Sequence, residues 1–262
     1  MQDRPIGVFD SGVGGLTILL ELQKLLPNER FIYVADSAFA PYGKRSITEL
    51  QTRTKSITEF LISKHAKIIV VACNTASISS IKVLRKQFKK PIIGVVPVVK
   101  YLSEYSKTKK VAILATPVTI KSIYLDLLIS EFGKGLTIYK EGGTGLEELV
   151  EQGDLNNPKI KATLKKHLIP LKKQGIDALA LGCTHYPFLK TQMEEILGPD
   201  IKVFDSGGAV ARQTKRVLTV ENFLSLEKLD KDWYYTTGDS SKFDGVVKQL
   251  TGVTIKSEHT RI

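Results

Sequence analysis

Features typical of disulfide-stabilised and membrane-spanning proteins are missing from this 262-residue chain. It has only two cysteines, Cys73 and Cys183, too few for a disulfide framework or for a zinc site built from cysteines alone. No apolar run approaches the roughly 20 residues that cross a bilayer, and no basic stretch leads into a long apolar segment near Met1. We therefore expect a cytoplasmic protein without a secretory signal or a membrane anchor.

Acidic residues are also in short supply. The chain has 38 Lys and Arg residues against 27 Asp and Glu residues, a formal net charge of +11. Such an excess can indicate a nucleic-acid partner. The lysines are scattered in short pairs, however, such as Lys89-Lys90 and Lys165-Lys166, and no basic stripe interleaved with aromatic residues is present. We expect solvated surface lysines, no nucleic-acid binding, and a positive field that favours an anionic small substrate.

Short apolar runs alternate with amphipathic stretches along the whole chain, which predicts an α/β fold with parallel sheets covered by helices. The predicted strands are Ile6–Phe9, Phe31–Ala35, Ile68–Ala72, Ile92–Val96, Val111–Ala115, Ala178–Leu181 and Lys202–Phe204. The predicted helices are Leu16–Leu26, Thr48–Ser63, Ser77–Gln87, Thr119–Phe132, Lys159–Gln174, Phe188–Leu197, Val210–Leu218 and Lys242–Leu250. Ligands of such folds bind beyond the carboxyl ends of the strands, so the residues that follow strands are the candidates for chemistry.

Two parts of the chain resemble each other weakly. In each, an apolar strand runs into a hydroxyl residue, Ser11 or Thr116, and a strand some 60–70 residues later ends at a cysteine, Cys73 or Cys183. This pattern predicts two similar parallel-sheet α/β domains, each of which offers one cysteine at a strand end. Residues 1–95 with 208–262 would form the domain that carries Cys73, and residues 96–207 the domain that carries Cys183. The phrase Val-Phe-Asp-Ser-Gly at 8–12 and again at 203–207 does not fit this repeat.

Both cysteines lie where a strand gives way to a helix. Cys73 precedes Asn74 and Thr75, which are good capping residues, and a thiol near a helix N-terminus ionises more easily. Cys183 precedes Thr184 and His185, and the imidazole could exchange a proton with the thiol. The sequence therefore indicates two thiols that can ionise or exchange a proton, rather than two cysteines with only a structural role in the core.

Polar loops follow the first two strands. The first, Asp10-Ser11-Gly12-Val13-Gly14-Gly15, places a carboxylate at the ligand edge, and its glycines allow a substrate carboxylate to approach backbone N–H groups. The spacing is neither G-x-G-x-x-G nor G-K-[ST], so this loop is not a typical nucleotide site. In the second loop, Pro41 and Gly43 favour a fixed turn that carries Tyr42.

Several of these segments, taken together, resemble the signature blocks of a known family. The blocks are Gly7–Leu16, Tyr33–Ser37 with Pro41–Gly43, Val71–Ser77, Leu181–Pro187, Thr116–Ser122 and Tyr235–Asp239. They are similar to those of bacterial glutamate racemases, within the aspartate/glutamate racemase family, and cover nearly the whole chain in the same order. Two stretches depart from the family pattern. Residues 142–149 replace a family Cys-Pro, and residues 97–99 replace a family Glu-Pro-Gly.

The resemblance implies an isomerase that interconverts L- and D-glutamate without pyridoxal phosphate, any other cofactor or a metal, and that supplies D-glutamate for peptidoglycan. It implies that one of Cys73 and Cys183 removes the α-proton as a thiolate while the other delivers a proton to the opposite face. Asp10 would assist Cys73, His185 would assist Cys183, and Glu151 would be a further assisting carboxylate. The substrate-binding positions implied are Asp10, Ser11, Tyr42, Gly43, Asn74, Thr75, Thr116, Thr119, Thr184 and His185. The family also implies that the active site lies at the interface of the two domains, and that the protein forms a homodimer.

Other readings remain open at this point. The chain could racemise a related amino acid such as aspartate, because the sequence does not define the side-chain pocket. It could be a non-catalytic thiol or redox protein, which would leave Asp10 and His185 without a role. A basic nucleic-acid-binding protein would leave both cysteine motifs unexplained.

Overall fold

Two parallel β-sheets flanked by helices make up the computed structural model, which describes residues 2–227 and 231–262. The strands are β1 (Ile6–Asp10), β2 (Phe31–Ala35), β3 (Ile68–Val71), β4 (Ile92–Gly94), β5 (Lys110–Ala115), β6 (Thr137–Gly142), β7 (Ala178–Gly182), β8 (Lys202–Phe204), β9 (Trp233–Thr236) and β10 (Ser257–His259). The helices are α1 (Leu16–Leu25), α2 (Ile47–Ser63), α3 (Asn74–Gln87), α4 (Val99–Tyr105), α5 (Pro117–Ile120), α6 (Ile123–Phe132), α7 (Leu146–Val150), α8 (Pro158–Lys173), α9 (Lys190–Leu197), α10 (Gly207–Val220) and α11 (Ser240–Thr251). The predicted α/β fold with two parallel sheets is confirmed.

The strand order explains the weak internal similarity. The six-stranded sheet runs β10-β9-β2-β1-β3-β4 and the four-stranded sheet runs β6-β5-β7-β8. The order β2-β1-β3-β4 therefore matches β6-β5-β7-β8, with β1 equivalent to β5 and β3 equivalent to β7. Cys73 follows β3 and Cys183 follows β7, so the two thiols stand at equivalent places in their sheets.

The predicted division into domains, residues 1–95 with 208–262 against residues 96–207, stays a prediction. The strands of the six-stranded sheet fall in the first set of residues, and those of the four-stranded sheet fall in the second. Helix α10 packs against α1. We propose that the chain crosses between the two units near these boundaries.

Burial accounts for the central strands. Every residue of β1, β2, β3 and β7 is buried, as expected for strands that helices cover on both faces. Their unbroken apolar runs made these strands predictable. The three strands that were not predicted, β6, β9 and β10, lie at or near the outer edges of the sheets and carry polar or half-exposed residues.

Local capping explains where the observed helices differ from the predicted ones. The helix predicted from Thr119 to Phe132 is two helices, because Thr116 caps α5 and Ser122 caps α6 by accepting the Leu125 N–H. Helix α3 begins at Asn74 rather than at Ser77, which makes Cys73 its N-cap residue. Helices α4 and α7 were not predicted; at seven and five residues they are too short to show a clear apolar period.

The structure also explains the repeated Val-Phe-Asp-Ser-Gly phrase. Its two copies end β1 and β8, which are not equivalent strands. In each copy the aspartate accepts a hydrogen bond from the glycine N–H two residues on, from Gly12 to Asp10 Oδ1 at 2.8 Å and from Gly207 to Asp205 Oδ1 at 3.1 Å. The phrase thus encodes a local turn after a strand, stabilised by an aspartate side chain, and not a domain repeat.

Among the helices of residues 2–227 and 231–262, none combines the length and the apolar character needed to cross a bilayer.

Candidate active site

The carboxyl ends of the two sheets meet, and hydrogen bonds join them. Thr184, after β7, donates from Oγ1 to Asp10 Oδ2 at 3.2 Å, and Thr17 of α1 donates to the Thr184 carbonyl at 3.0 Å. The hydroxyls of Thr75 and Thr116 lie 3.2 Å apart. The residues predicted to carry chemistry in the two halves of the chain therefore come together at one interface.

Cys73 is enclosed at the N-terminus of α3. Its Sγ accepts the Ala76 N–H at 3.5 Å and donates to Ser11 Oγ at 3.9 Å. Burial raises the pKa of the Cys73 thiol well above its usual range, and the nearby Asp10 carboxylate raises it further. The Ala76 hydrogen bond acts to lower this pKa, as expected at a helix N-terminus, but desolvation outweighs it.

Cys183 is buried to the same extent but has a different neighbour. Its Sγ lies 3.6 Å from His185 Nδ1. Burial raises the pKa of the Cys183 thiol, while the hydrogen bond and the charge of His185 act to lower it. Burial alone would lower the pKa of His185, but its bonds to Cys183 and Glu151 raise this pKa well above the usual range. The arrangement places an imidazolium beside Cys183, and its charge favours ionisation of a thiol whose pKa burial still holds above its usual value.

Glu151 holds the far side of the imidazole. Its Oε1 lies 2.6 Å from His185 Nε2 and accepts the Val13 N–H at 2.8 Å. Burial acts to raise the Glu151 pKa, but the hydrogen bond and charge of His185 keep it below its usual value. The structure thus places Glu151 within the predicted set despite the altered loop before it.

Asp10 lies between the two halves. Its Oδ1 accepts the Gly12 N–H, and its Oδ2 accepts the Thr184 hydroxyl. Burial raises the Asp10 pKa, although the charge of His185 opposes this shift. A carboxyl group with a raised pKa beside Cys73 is suited to exchanging a proton.

Most of the predicted substrate-binding residues are buried around these groups. Asn74 is 2% exposed, and its Nδ2 has no hydrogen-bond partner in the part of the chain that the structure describes. Thr116 donates to Thr119 Oγ1 at 3.0 Å, next to the Thr75 hydroxyl. The buried members of the set are Asp10, Ser11, Tyr42, Asn74, Thr75, Thr116, Thr119, Thr184 and His185. The open amide donor and the hydroxyls give a small anionic ligand polar partners inside an enclosed space.

Tyr42 belongs to a hydrogen-bond network centred on Asp36, next to the candidate site. Its hydroxyl donates to Asp36 Oδ2 at 2.7 Å, and Arg53 pairs with the same carboxylate at 2.5 Å and 2.8 Å. Thr237 also donates to Asp36. The Tyr42 side chain therefore anchors the loop, and Gly43 is half-buried beside it with open space where a Cβ would stand.

Sequence reasoning missed the Asp36–Arg53 pair and Glu147. Glu147 lies one turn before Glu151, is half-buried, and has a pKa that burial raises. Both glutamates line a groove of about 500 Å³, together with Val13, Pro41 and Lys242. The four-residue spacing from Glu151 was the one signal that could have revealed Glu147.

Within the described residues 2–227 and 231–262, no three His, Cys, Asp or Glu side chains are grouped so as to hold a metal ion.

Gly14, in the loop after β1, has no room for a side chain, which gives a first prediction. A Cβ on Gly14 would overlap the His185 ring, 2.6 Å from Cε1, and would lie 2.8 Å from Thr184 Oγ1. We expect Gly14→Ala to lower the free energy of unfolding by about 1–3 kcal/mol through overpacking. Gly245→Ala, in the open interior of α11, has nothing within 4 Å of its Cβ and should be neutral or stabilising by about 0.5–1 kcal/mol.

Thermal and urea unfolding of the two variants measure this difference. Equal stability of Gly14→Ala and Gly245→Ala would show that the glycine loop does not contact the second sheet as described.

Comparison with known proteins places this arrangement in a family. The model of the Asp/Glu/Hydantoin racemase family matches residues 17–214. A glutamate racemase of Ectopseudomonas mendocina is 39% identical over 249 residues, which are 95% of each chain.

Two solved structures agree over the whole fold. The glutamate racemase isoform RacE1 of Bacillus anthracis has a TM-score of 0.90 at 31% identity and covers 100% of this chain and 99% of its own. The glutamate racemase of Francisella tularensis, solved in complex with D-glutamate, has a TM-score of 0.88 at 30% identity and covers 100% and 98%. By its match to the family model and by these full-length similarities, the chain belongs to the Asp/Glu/Hydantoin racemase family.

Proposed function

We propose that this chain interconverts L- and D-glutamate by passing the α-proton between Cys73 and Cys183. The observation that carries the proposal is the placement of two buried thiols at equivalent strand ends of facing sheets. Inversion of a stereocentre requires a base on one face of the α-carbon and an acid on the other. Similarity to glutamate racemases over nearly the full length supports glutamate as the substrate.

In the direction that starts at Cys183, the Cys183 thiolate takes the α-hydrogen as a proton. An S–H bond forms, the C–H bond breaks, and the electron pair of that bond stays on the substrate. The Cys73 thiol then gives its proton to the opposite face of the α-carbon and becomes a thiolate. The reverse reaction exchanges these roles, and neither direction requires a further reactant.

The neighbours of each thiol differ, and so do their proposed roles. His185 as an imidazolium stabilises the Cys183 thiolate, and Glu151 keeps the ring charged and oriented. Asp10 lies beside the Cys73 side of the site and exchanges a proton there. The substrate itself brings an ammonium group, whose charge favours the ionised thiols that burial disfavours.

The carbanion formed beside the substrate carboxylate needs fixed donors. The Asn74 amide and the hydroxyls of Ser11, Thr75 and Thr184 are buried at the interface and supply them without reorganisation. Both thiols are only 6% exposed, so the carbanion would form at a site from which water is largely excluded.

We also propose a cytoplasmic location. A two-thiol mechanism needs reduced cysteines, and the reducing cytoplasm keeps cysteines in that state. The product, D-glutamate, would serve peptidoglycan synthesis. The experiment on the cysteine variants, which includes L-aspartate, distinguishes racemisation of aspartate from racemisation of glutamate.

The two-base mechanism predicts the behaviour of single cysteine variants. Cys73→Ser and Cys183→Ser should each lower the rate of racemisation by about 10²–10⁴-fold, because each removes one proton-transfer group. In D₂O each variant should still exchange the α-hydrogen of one enantiomer, and the two variants should act on opposite enantiomers. The measurement follows optical rotation and α-deuteration of L- and D-glutamate, with L-aspartate in parallel and no added cofactor.

Three results would contradict parts of this proposal. Near-full activity in either variant would exclude the two-base mechanism. Faster turnover of aspartate would exclude glutamate as the preferred substrate. No exchange with any substrate would exclude the racemase function.

The Glu151–His185 contact predicts a change in pH dependence. The Glu151 carboxylate raises the His185 pKa, so Glu151→Gln should lower that pKa and deprotonate the imidazole at a lower pH. The alkaline limb of the kcat/KM profile should therefore move to lower pH in the direction that starts from the Cys183 thiolate. Glu148→Gln, on the same helix with a side chain 48% exposed, should leave that limb in place. An unchanged limb in Glu151→Gln would remove Glu151 from the mechanism.

We also propose that the chain forms a homodimer. Helix α6 exposes 77% of Ile123 and 53% of Leu127, and it packs against α4, which exposes 41% of Tyr101 and 48% of Tyr105. Large apolar side chains grouped on adjacent helices favour association. This apolar face supports a contact between two copies.

The double variant Ile123→Lys, Leu127→Lys should therefore shift the chain from dimer to monomer, because it places charges in the contact. Light scattering after size-exclusion chromatography measures the mass. Val220→Lys, at a separate residue that is 75% exposed, is the control and should leave the mass unchanged. A double variant that keeps the parent's dimeric mass would exclude this face.

A further inference from the structure

Thr17 stands where the glycine loop after β1 turns into helix α1, and the mechanism above gives it no role. It is half-buried, and its Oγ1 lies 2.9 Å from the Gly14 carbonyl oxygen and 3.0 Å from the Thr184 carbonyl oxygen. A hydroxyl group has one proton to donate, so the two carbonyls share it. Because Gly14 follows β1 and Thr184 follows β7, this hydroxyl joins the ends of both sheets.

The turn after β7 explains why the Thr184 carbonyl needs a donor from elsewhere. The carbonyls before and after it each accept the N–H of the residue three positions on, at 3.2 Å and 3.3 Å. These bonds run from Tyr186 to Cys183 and from Phe188 to His185. The corresponding donor for Thr184 would be Pro187, which has no N–H. A bond from outside the turn replaces the missing local one, and Thr17 provides it.

Thr184 affects the catalytic groups through both its backbone and its side chain. It stands between Cys183 and His185 in the chain, and its Oγ1 donates to Asp10 Oδ2 at 3.2 Å. The carbonyl that Thr17 holds belongs to the peptide group that joins Thr184 to His185. Rotation of this peptide group would turn the imidazole relative to Cys183 Sγ, which lies 3.6 Å from His185 Nδ1.

The second acceptor, the Gly14 carbonyl, belongs to the backbone on the other side of the same ring. A Cβ on Gly14 would lie 2.4 Å from His185 Nδ1, so this part of the loop packs directly against the imidazole. Thr17 thus fixes both the backbone that carries His185 and the backbone that packs on it. Since its proton is bonded to carbonyls, its hydroxyl acts on the reaction through these neighbours.

We propose that Thr17 is a positioning residue of the two-thiol site. It holds the Thr184–His185 peptide group from the opposite sheet. The imidazole is thereby kept beside Cys183, and the Thr184 hydroxyl is kept at Asp10. This inference rests on the proposed racemase function and adds to it a residue that acts without touching the substrate.

Removal of the hydroxyl with little change in side-chain shape tests this role. Thr17→Val should lower kcat for L-glutamate by about 10–100-fold, because the reacting groups lose their fixed geometry. KM should stay within about threefold of the parent value, since the hydroxyl does not bind substrate. Thr17→Ser keeps the donor and should retain about a third or more of the parent kcat.

A second measurement does not depend on activity. Burial acts to lower the pKa of His185, but its bonds to Cys183 and Glu151 raise this pKa well above the usual range. A ring that is held less firmly in these bonds should therefore titrate at lower pH. NMR titration of the histidine rings, with His185 assigned by its absence from His185→Gln, should show a lowered pKa in Thr17→Val and the parent pKa in Thr17→Ser.

The matched control is Thr219→Val. Thr219 is exposed on α10, and its hydroxyl donates to the Lys215 carbonyl at 2.9 Å within that helix. The control loses the same kind of bond away from the site, so its kcat and its His185 pKa should equal those of the parent. Thermal unfolding of each variant shows that it is folded at the assay temperature.

Racemisation by the parent tests the proposed function, whereas the comparison among the variants tests Thr17, so the two can fail separately. Three outcomes overturn the inference about Thr17. These are a Thr17→Val variant with the parent kcat, an equal loss of kcat in Thr17→Ser and Thr17→Val, and a His185 pKa that Thr17→Val leaves unchanged.

Discussion

The Glu151 carboxylate joins the two sheets at the point on which the site depends. It accepts the Val13 N–H from the glycine loop after β1 and bonds to His185, which follows β7. One anion thus positions the loop beside Asp10 and keeps the imidazole charged beside Cys183. Because a Cβ on Gly12 would overlap this carboxylate, the close approach of the loop requires glycine.

Burial sets the chemistry that this closure creates. Both thiols and Asp10 lose water at the interface, and each has its pKa raised by that loss. Desolvation therefore opposes ionisation of these groups, and a neighbouring cation such as His185 acts in the opposite direction.

The two halves share a strand order but not a chemistry. The order β2-β1-β3-β4 repeats in β6-β5-β7-β8, so Cys73 and Cys183 take equivalent positions. Their neighbours are not equivalent, since Cys73 faces Ser11 and Asp10 whereas Cys183 faces His185. A racemase needs near-symmetry in where its thiols stand, because both faces of one carbon must be reached, but it does not need the same base at each side.

Much of the site was visible in short segments of sequence. Strand ends that carry Cys73 and Cys183 are recognisable because buried parallel strands are unbroken apolar runs and the residues after them reach the ligand edge. Glu151 was named from its motif alone, since nothing local brings it to His185. Glu147 and the Asp36–Arg53 pair escaped because each depends on side chains that meet only in the folded chain.

Sequence alone determined the two-sheet fold, the position of both thiols and the family, because strand periodicity and contiguous motifs are local properties. Tertiary structure alone decided which thiol is paired with an imidazolium, that Tyr42 is held by Asp36, and that burial rather than the helix N-terminus dominates the Cys73 pKa. The physical reason is common to all of these. Desolvation and charge pairing depend on which side chains lie close together in space. Contacts between the two sheets join segments far apart in the sequence, so no single segment predicts them.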